Sequence, residues 1–424
     1  MSRADRLRGR IRAQLGWLVE RSAAERALIS LASLFFAIIV GAVIILISGR
    51  VTECSTAAFY LPFTSIGFCY DPVQIYLLLF NGALGSPFLL GEPGLIDPSW
   101  SVFNFRFGFT LKETTLLIFT GLSVAISFRA GLFNIGTQGQ LVIGALGTAL
   151  VMVYAAPLVP AGLVGGVVLI ILGLAVGAIF GGLYGAIPGL LKAYADANEV
   201  ITTIMLNFIA ANIAFVLVSS VFRDPSSSVV ATYEIPDYAQ LPSLAFPASS
   251  NFSEIGLIAG VFAIAGLYYL LEHTSFGYDI RTSGVQPEAA EYGGVDSKKT
   301  IVRSLTISGA FGGIAGALWV LMQTARWESS VPALGFDGIT VSILAGNNPI
   351  GVLPAALLFG MLKGGAVEVA FQTDVPSDLI GVLRGLIILF VAMPEFFRMI
   401  GKRLLGTDGQ APDAGTTDGG DADE

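Results

Sequence analysis

Long, continuous apolar runs dominate the chain, separated by short polar segments. The runs cover about 27–48, 112–128, 139–156, 161–191, 198–221, 255–271, 303–323, 337–346, 350–368 and 379–397. Their apolar residues do not alternate with polar ones. Several runs are as long as the roughly 20 residues a helix needs to cross a hydrocarbon core. Inside lipid, only helices and closed barrels satisfy every backbone N–H and C=O. The pattern predicts an all-α, polytopic transmembrane bundle of about ten crossings, two of them short, with broken or re-entrant helices. Residues 49–111 are mixed and carry Pro62, Pro72, Pro87, Pro93 and Pro98. Within them VQIYLLLF, 73–80, is too short to span and fits an interfacial or re-entrant helix.

Composition agrees. The chain has 424 residues, of which 54% are hydrophobic and 13% charged, with a mean hydropathy of +0.75. A soluble domain carries about 25% charged residues. The net charge of −8 is concentrated in the tail, where 401–424 holds Asp408, Asp413, Asp418, Asp421, Asp423 and Glu424. Such a Gly-rich acidic segment buries no core and reads as disordered. Residues 1–26 carry seven Arg against Asp5, Glu20 and Glu25. The run after them exceeds the apolar core of a signal peptide, and no A-x-A-type cleavage site follows, so it reads as an uncleaved first span. The expected divisions are an Arg-rich cytoplasmic N-terminus (1–26), a transmembrane domain (27–400) and a cytoplasmic tail (401–424).

Basic residues set the orientation. With the N-terminus inside, Arg129, Lys192, the loop residues Arg281, Lys298, Lys299 and Arg303, and Arg398, Lys402 and Arg403 all fall on the cytoplasmic side. Only Arg50, Arg106, Arg223 and Arg326 fall outside, with Lys112 at a helix edge. This bias obeys the positive-inside rule and places both termini in the cytoplasm. Cys54 and Cys69 are then external; a disulfide and two unpaired thiols both fit. Gly173, Gly177, Gly181 and Gly185 recur every four residues, as do Gly309 with Gly313 and Gly312 with Gly316. That spacing aligns them on one helix face for close packing.

Three clusters carry polar chemistry. FRAGLFNIGTQGQL, 128–141, places Gly131, Gly136 and Gly139 with Asn134, Gln138 and Gln140 between two apolar runs. Irregular backbone near lipid is tolerated only when buried in protein or lining a wet cavity. The amides suit hydroxyls or base edges, and Phe128 and Phe133 suit stacking on a ring. A turn whose amides merely cap helices fits equally well. ANEVITTIMLNFIAAN, 197–212, adds Asn207 and Asn212, with Glu199 at a helix end. GFDGITVSILAGNNPIGVLPAALLFG, 335–360, is expected to break into two short helices at Pro349 and Pro354, with Asn347 and Asn348 at the break and Asp337 as a helix cap. The polar loop 272–303 contains QPEAAEYGG, which reads as a short helix ending at Gly293–Gly294 and suited to docking a soluble partner.

Several chemistries lack their residues. No G-x-x-x-x-G-K-[ST] is present, so the chain binds no ATP through a P-loop. His273 is the single histidine, and no Cys/His cluster occurs. The expectation is no catalytic residue, no metal site and no cofactor held by this chain. Charges in the later spans are limited to Lys363, Glu368 and Arg384, with no membrane-buried carboxylate pair expected.

FRAGLFNIGTQGQLVIGA, ANEVITTIMLNFIAAN, EAAEYGGVDSKKTIVRSLTISGAFGGIAGALW and GFDGITVSILAGNNPIGVLPAALLFG occur in this order over about 110–397. They resemble the signature stretches of binding-protein-dependent ABC importer permeases of the ribose, galactose and nucleoside branch. GLFNIG and GNNPIG are most similar to the nucleoside type, and related permeases of salt-loving archaea serve monosaccharides, including glucose. The resemblance implies a pore formed with a second permease, identical or paralogous. It also implies two cytoplasmic ATPase subunits and an extracytoplasmic solute-binding lipoprotein. It implies ATPase docking on an EAA-x-x-x-G signature, here Glu288, Ala289, Ala290 and Gly294 with Tyr292 and Gly293 between, although the LP that extends the signature is missing. No nucleic acid is implied. The solute pathway is expected at Phe128, Phe133, Asn134, Gln138, Gln140, Asn207, Asn347 and Asn348. The leading expectation is import of a small hydroxylated solute, with a monosaccharide such as glucose ahead of a nucleoside. The rival from another class is an ion-coupled secondary carrier.

Overall fold

The computed structural model describes residues 24–54, 56–60, 66–87, 97 and 100–392. The expected acidic tail, and the Arg-rich segment up to residue 23, lie outside the described residues. The chain divides into two compact units, 1–72 with 381–424, and 73–380. In the first unit, helix α1 (Ala24–Val51) leads into a two-stranded antiparallel hairpin, β1 (Phe59–Tyr60) against β2 (Gly67–Phe68). A disulfide joins Cys54 to Cys69 across the hairpin, resolving the alternative left open by the sequence.

The second unit is a helical bundle. Its elements are α2 (Pro72–Leu84), α3 (Phe105–Arg129), α4 (Thr137–Ala155), α5 (Leu163–Ala195), α6 (Glu199–Leu217) and α7 (Glu254–His273). There follow α8 (Ser275–Val285), α9 (Pro287–Tyr292), α10 (Ser297–Trp319), α11 (Leu334–Leu344) and α12 (Pro349–Gln372); α13 (Ser377–Ala392) begins in this unit. Among the described residues, seven helices are long and apolar enough to cross a membrane, namely α3 to α7, α10 and α12, with short helical extensions counted. The expected short helix at 73–80 is α2.

Helix α3 is the axis. It is buried from Gly108 to Ser127 almost without interruption, with α10, α11, α12 and α7 packed around it. The outer helices bury only one face. In α5 that face is Gly165, Gly166, Gly173, Gly177, Gly181, Gly182 and Gly185, while Ile171, Ile179 and Leu183 point outward. Lipid tails are as apolar as leucine, so large side chains gain nothing by turning inward. Small residues instead let backbones approach and dispersion contacts accumulate. The expected glycine faces meet accordingly: a Cβ on Gly181 would lie 2.4 Å from the Gly309 carbonyl oxygen, and one on Gly144 would lie 2.4 Å from the Gly313 Cα. The stripes lock α4, α5 and α10 together.

The 335–360 region departs from expectation in three ways. The break falls at Gly346–Asn348 alone. Pro349 opens α12, and Pro354 lies inside it without ending it. Proline is tolerated in the first turn because that N–H has no helical partner anyway; Pro354 is accommodated by the helices packed around it. Asp337 is not the cap: α11 starts after Ala333 with no side-chain cap, and Asp337 sits in its first turn. Finally, the expected short crossing is an 11-residue helix, about 16 Å long, or roughly half the hydrocarbon thickness.

Gly181→Val should force α5 off α10. The expected outcome is a lower midpoint of thermal unfolding in detergent, equivalent to about 1–3 kcal/mol. Ile179→Val, on the outward face, should leave the midpoint unchanged.

Candidate functional site

The site begins where α3 stops. Arg129 ends the helix, and Gly131 turns the chain with φ +71, a left-handed conformation that L side chains resist. A new helix, α4, starts at Thr137. Between them, Asn134 is fully buried. Its Nδ2 donates to Ser308 Oγ (2.7 Å) and Gln140 Oε1 (3.2 Å), and its Oδ1 accepts from the Gly136 N–H (2.9 Å). Asn207 reaches over from α6: its Oδ1 accepts from the Gly139 N–H (2.8 Å) and its Nδ2 donates to the Ile135 carbonyl (2.9 Å). Ser123 Oγ bridges Thr137 Oγ1 (3.0 Å) and Ser308 Oγ (3.2 Å).

These amides were expected to offer donors and acceptors to a passing solute. Asn134, Gln140 and Asn207 are instead consumed by the chain, because a broken helix frees backbone groups that must be satisfied where no water reaches. Phe133 differs: the residue is 47% exposed, and its ring lies against Phe128, centroids 4.6 Å apart.

A second helix start meets the first. Gln138, in the first turn of α4, accepts the Gly335 N–H at Oε1 (2.8 Å) and donates to the Pro332 carbonyl (3.0 Å). It thereby clamps the first turn of α11. Gly338 packs on Thr120, Gly121 on Val341, and Arg129 Nε donates to the Asn347 carbonyl (2.9 Å). Helix α11 therefore runs parallel to the last turns of α3. Both α4 and α11 begin beside residues 120–123, about 9–13 Å short of the end of α3 at 1.5 Å per residue. Two helix N-termini thus open inside the bundle, an arrangement used elsewhere to hold polar solutes at depth. Asn347 takes φ +55 with its Oδ1 near Ser342 Oγ (3.0 Å). Asn348 caps α12 by accepting the Ile350 N–H (3.1 Å). Both serve the break.

A chain of charges lies deeper along α3, and the sequence reading missed it. Lys112 and Glu113 are buried, their charged atoms 3.3 Å apart. Glu113 pairs with Lys363 of α12 (3.2 Å), and Lys363 with Asp337 of α11 (2.8 Å). Two carboxylates therefore flank one lysine inside the spans, contrary to the expectation of no such pair. Glu113 and Lys363 lie far apart in sequence and Asp337 sits on a third helix, which hid the cluster. Alternating signs make burial tolerable, since each charge has an opposite neighbour. Arg106 and Glu368 form a separate ion pair nearer the start of α3.

The end of the bundle carrying Arg129 also carries α8 to α10. Gly284 of α8 touches the break: a Cβ on Gly131 would lie 2.7 Å from the Gly284 carbonyl oxygen, and one on Gly284 would lie 2.3 Å from that of Arg129. Glu272 links Arg129 (3.9 Å) with Arg281 of α8. The expected helix at QPEAAEYGG is α9, ended by Gly294 at φ +86. Ala290 faces inward, while Glu288, Ala289, Gly293 and Gly294 are exposed. Val285 and Tyr292 are 88% and 97% exposed. Between α8 and α9 a groove of about 550 Å³ is lined by Tyr278, Arg281, Val285, Ala289, Ala290 and Val295. Below it, Asp296 caps α10 and accepts from Lys299. The Lys299 hydrogen bonds hold its carboxyl below the usual range.

Asn134→Ala leaves the Gly136 N–H without its acceptor and Gln140 Oε1 without its donor in a dry site, which costs about 1–3 kcal/mol. The expected result is a lowered unfolding midpoint with the solute KM unchanged in whatever protein inserts.

A family model described as the branched-chain amino acid transport system / permease component matches residues 107–392. The guanosine ABC transporter permease protein NupP of Bacillus subtilis is 35% identical over 79% of this chain and 90% of its own length. The nucleoside ABC transporter permease protein NupB of Lactococcus lactis is 32% identical over 77% of this chain and 85% of its own. The glucose ABC transporter permease protein TsgB13 of Haloferax volcanii is 30% identical over 77% and 82%. Helices long enough to span, glycine-packed faces and this breadth of similarity lead to one conclusion: the chain belongs to the ABC transporter permease family of that description, a family of multi-pass membrane transport subunits.

Proposed function

We propose that this chain is a translocating permease of an ATP-driven nucleoside importer. A second permease, identical or paralogous, completes its pore; two cytoplasmic ATPases drive it, and an extracytoplasmic solute-binding lipoprotein loads it. The sequence reading put a monosaccharide first. The two relatives with higher identity carry guanosine and nucleoside in their names, against glucose for the third, and this favours the nucleoside. Both termini lie in the cytoplasm in this reading. The Cys54–Cys69 bond supports it by suiting the oxidising outer side.

The observation that carries the mechanism is the contact of Gly131 with Gly284. The exposed elements α8 and α9 form the surface on which the ATPase docks, through Glu288, Ala289, Tyr292, Gly293 and Gly294. Docked at Val285 and Tyr292, the ATPase moves α8. Because Gly284 abuts the break backbone to backbone, α8 does not shift without displacing 129–131. The break in turn holds Gln138, and Gln138 holds the start of α11. Closure of the nucleotide-binding subunits thus reaches the two helix starts through rigid backbone and one amide. Phe133 faces the solute; Gln138, Asn134, Gln140, Asn207, Asn347 and Asn348 keep the frame in shape.

The test is uptake by the complete importer. Labelled guanosine should enter, and unlabelled nucleosides but not glucose should compete; glucose competition would return the hexose to first place. Glu288→Lys or Gly294→Asp should leave insertion normal, release the ATPase on purification and abolish uptake. Uptake that persists without the ATPase and follows an ion gradient identifies a secondary carrier.

Gly131→Ala tests the transmission step. Left-handed strain plus the close Gly284 carbonyl should leave ATP hydrolysis near normal while uptake per ATP falls at least tenfold.

A further inference from the structure

The charge chain Lys112–Glu113–Lys363–Asp337 has one closed end and one open end. At the closed end, Lys112 is buried with its ammonium 4.0 Å from the centre of the Phe109 ring. At the open end, the Asp337 side chain is 26% exposed. Its Oδ2 is 2.8 Å from Lys363 Nζ, and its Oδ1 has no hydrogen bond or ion pair among the described residues. Asp337 lies in the first turn of α11, two residues past Gly335, which Gln138 clamps. Phe336, between them in sequence, exposes 43% of its surface.

An accessible carboxylate oxygen at this depth belongs where water or solute comes, because lipid would not tolerate it. Lys363 fixes the orientation of the Asp337 carboxylate through the ion pair at Oδ2. Glu113 in turn prevents Lys363 from swinging away to solvate itself. The open oxygen is an acceptor only. It repels anions and takes hydroxyl donors, and hydrogen bonds to an ionised acceptor are about twice as strong as neutral ones. A carboxylate is also the group that reads ribose hydroxyls in dinucleotide-binding folds.

We propose that Asp337 accepts the vicinal hydroxyls of the ribosyl group as solute passes the exposed side of the first turn of α11, and so selects ribonucleosides over their deoxy forms inside the permease itself. This inference rests on the nucleoside reading above. Lys363 is a positioning residue: it touches no solute and acts by holding Asp337. The same hydroxyl chemistry occurs in a hexose, so the experiment must separate the two sources.

The complete importer is reconstituted in proteoliposomes with one binding protein throughout, and competition by guanosine and 2′,3′-dideoxyguanosine is compared at the transport step. Because the binding protein is unchanged, any change in the ratio of kcat/KM values for the two solutes belongs to the permease. Asp337→Asn should lower the guanosine-to-dideoxyguanosine ratio about tenfold, the value of one or two hydrogen bonds to a charged group. The double variant Asp337→Asn/Lys363→Gln removes one charge of each sign and should give the same ratio if the single variant fails to assemble. An unchanged ratio in whichever variant assembles overturns the proposal, as does a wild-type complex that carries both solutes equally. If the wild type carries glucose and no nucleoside, the nucleoside reading falls; the same variants, read with glucose against its deoxy analogues, then decide whether Asp337 accepts hydroxyls at all.

Discussion

Everything in this bundle depends on the requirement that backbone polar groups be satisfied where no water reaches. An unbroken helix meets it alone. A helix that stops inside the bundle does not, and the freed N–H and C=O groups must find side chains. Here Asn134, Gln138 and Asn207 take that part for Gly136, Gly335, Gly139 and Ile135. Because those amides come from different helices, satisfying the break also ties α3, α4, α6, α10 and α11 to one point. The polar network is therefore the price of an interrupted helix and the reason the interruption has a fixed shape.

A fixed shape at the break allows force to be passed through it. Glycine at 131 and 284 removes the side chains that would cushion the contact between α8 and the end of α3. Backbone touching backbone has little room to deform, since packed interiors shift between discrete arrangements rather than yielding continuously. The glycine faces of α5 and α10 act differently. They lock neighbouring helices along their length and give the moving parts a stationary wall.

Much of the fold was legible in the sequence. Run length and continuity located the spans, and the glycine spacing located the packing faces. The short helix at 73–80 followed from an apolar run too short to span, and the one at QPEAAEYGG from the Gly293–Gly294 pair that ends it. The sequence also pointed to the break, because Gly131, Asn134 and Gly136 interrupt an apolar stretch, although it left a capping turn and a wet cavity equally open. The partners of each polar group were not legible. Asn134 could have faced a cavity or its own chain, and Ser308, which decides the matter, is 174 residues away. The ion chain was missed for the same reason: Lys112 and Glu113 look like a helix edge until Lys363 and Asp337 are brought beside them. Pro354 misled because the usual breaking rule assumes no neighbouring helices to supply substitute contacts.

The central claim is that α8 and the break move as one piece. Spin labels on Val285 and Phe133, each paired with a reference label on the α5 wall at Ile179, measure it in the assembled importer trapped with and without nucleotide. The account predicts that both distances change together, in the same nucleotide states. A Val285 label that moves while the Phe133 label stays fixed would contradict it.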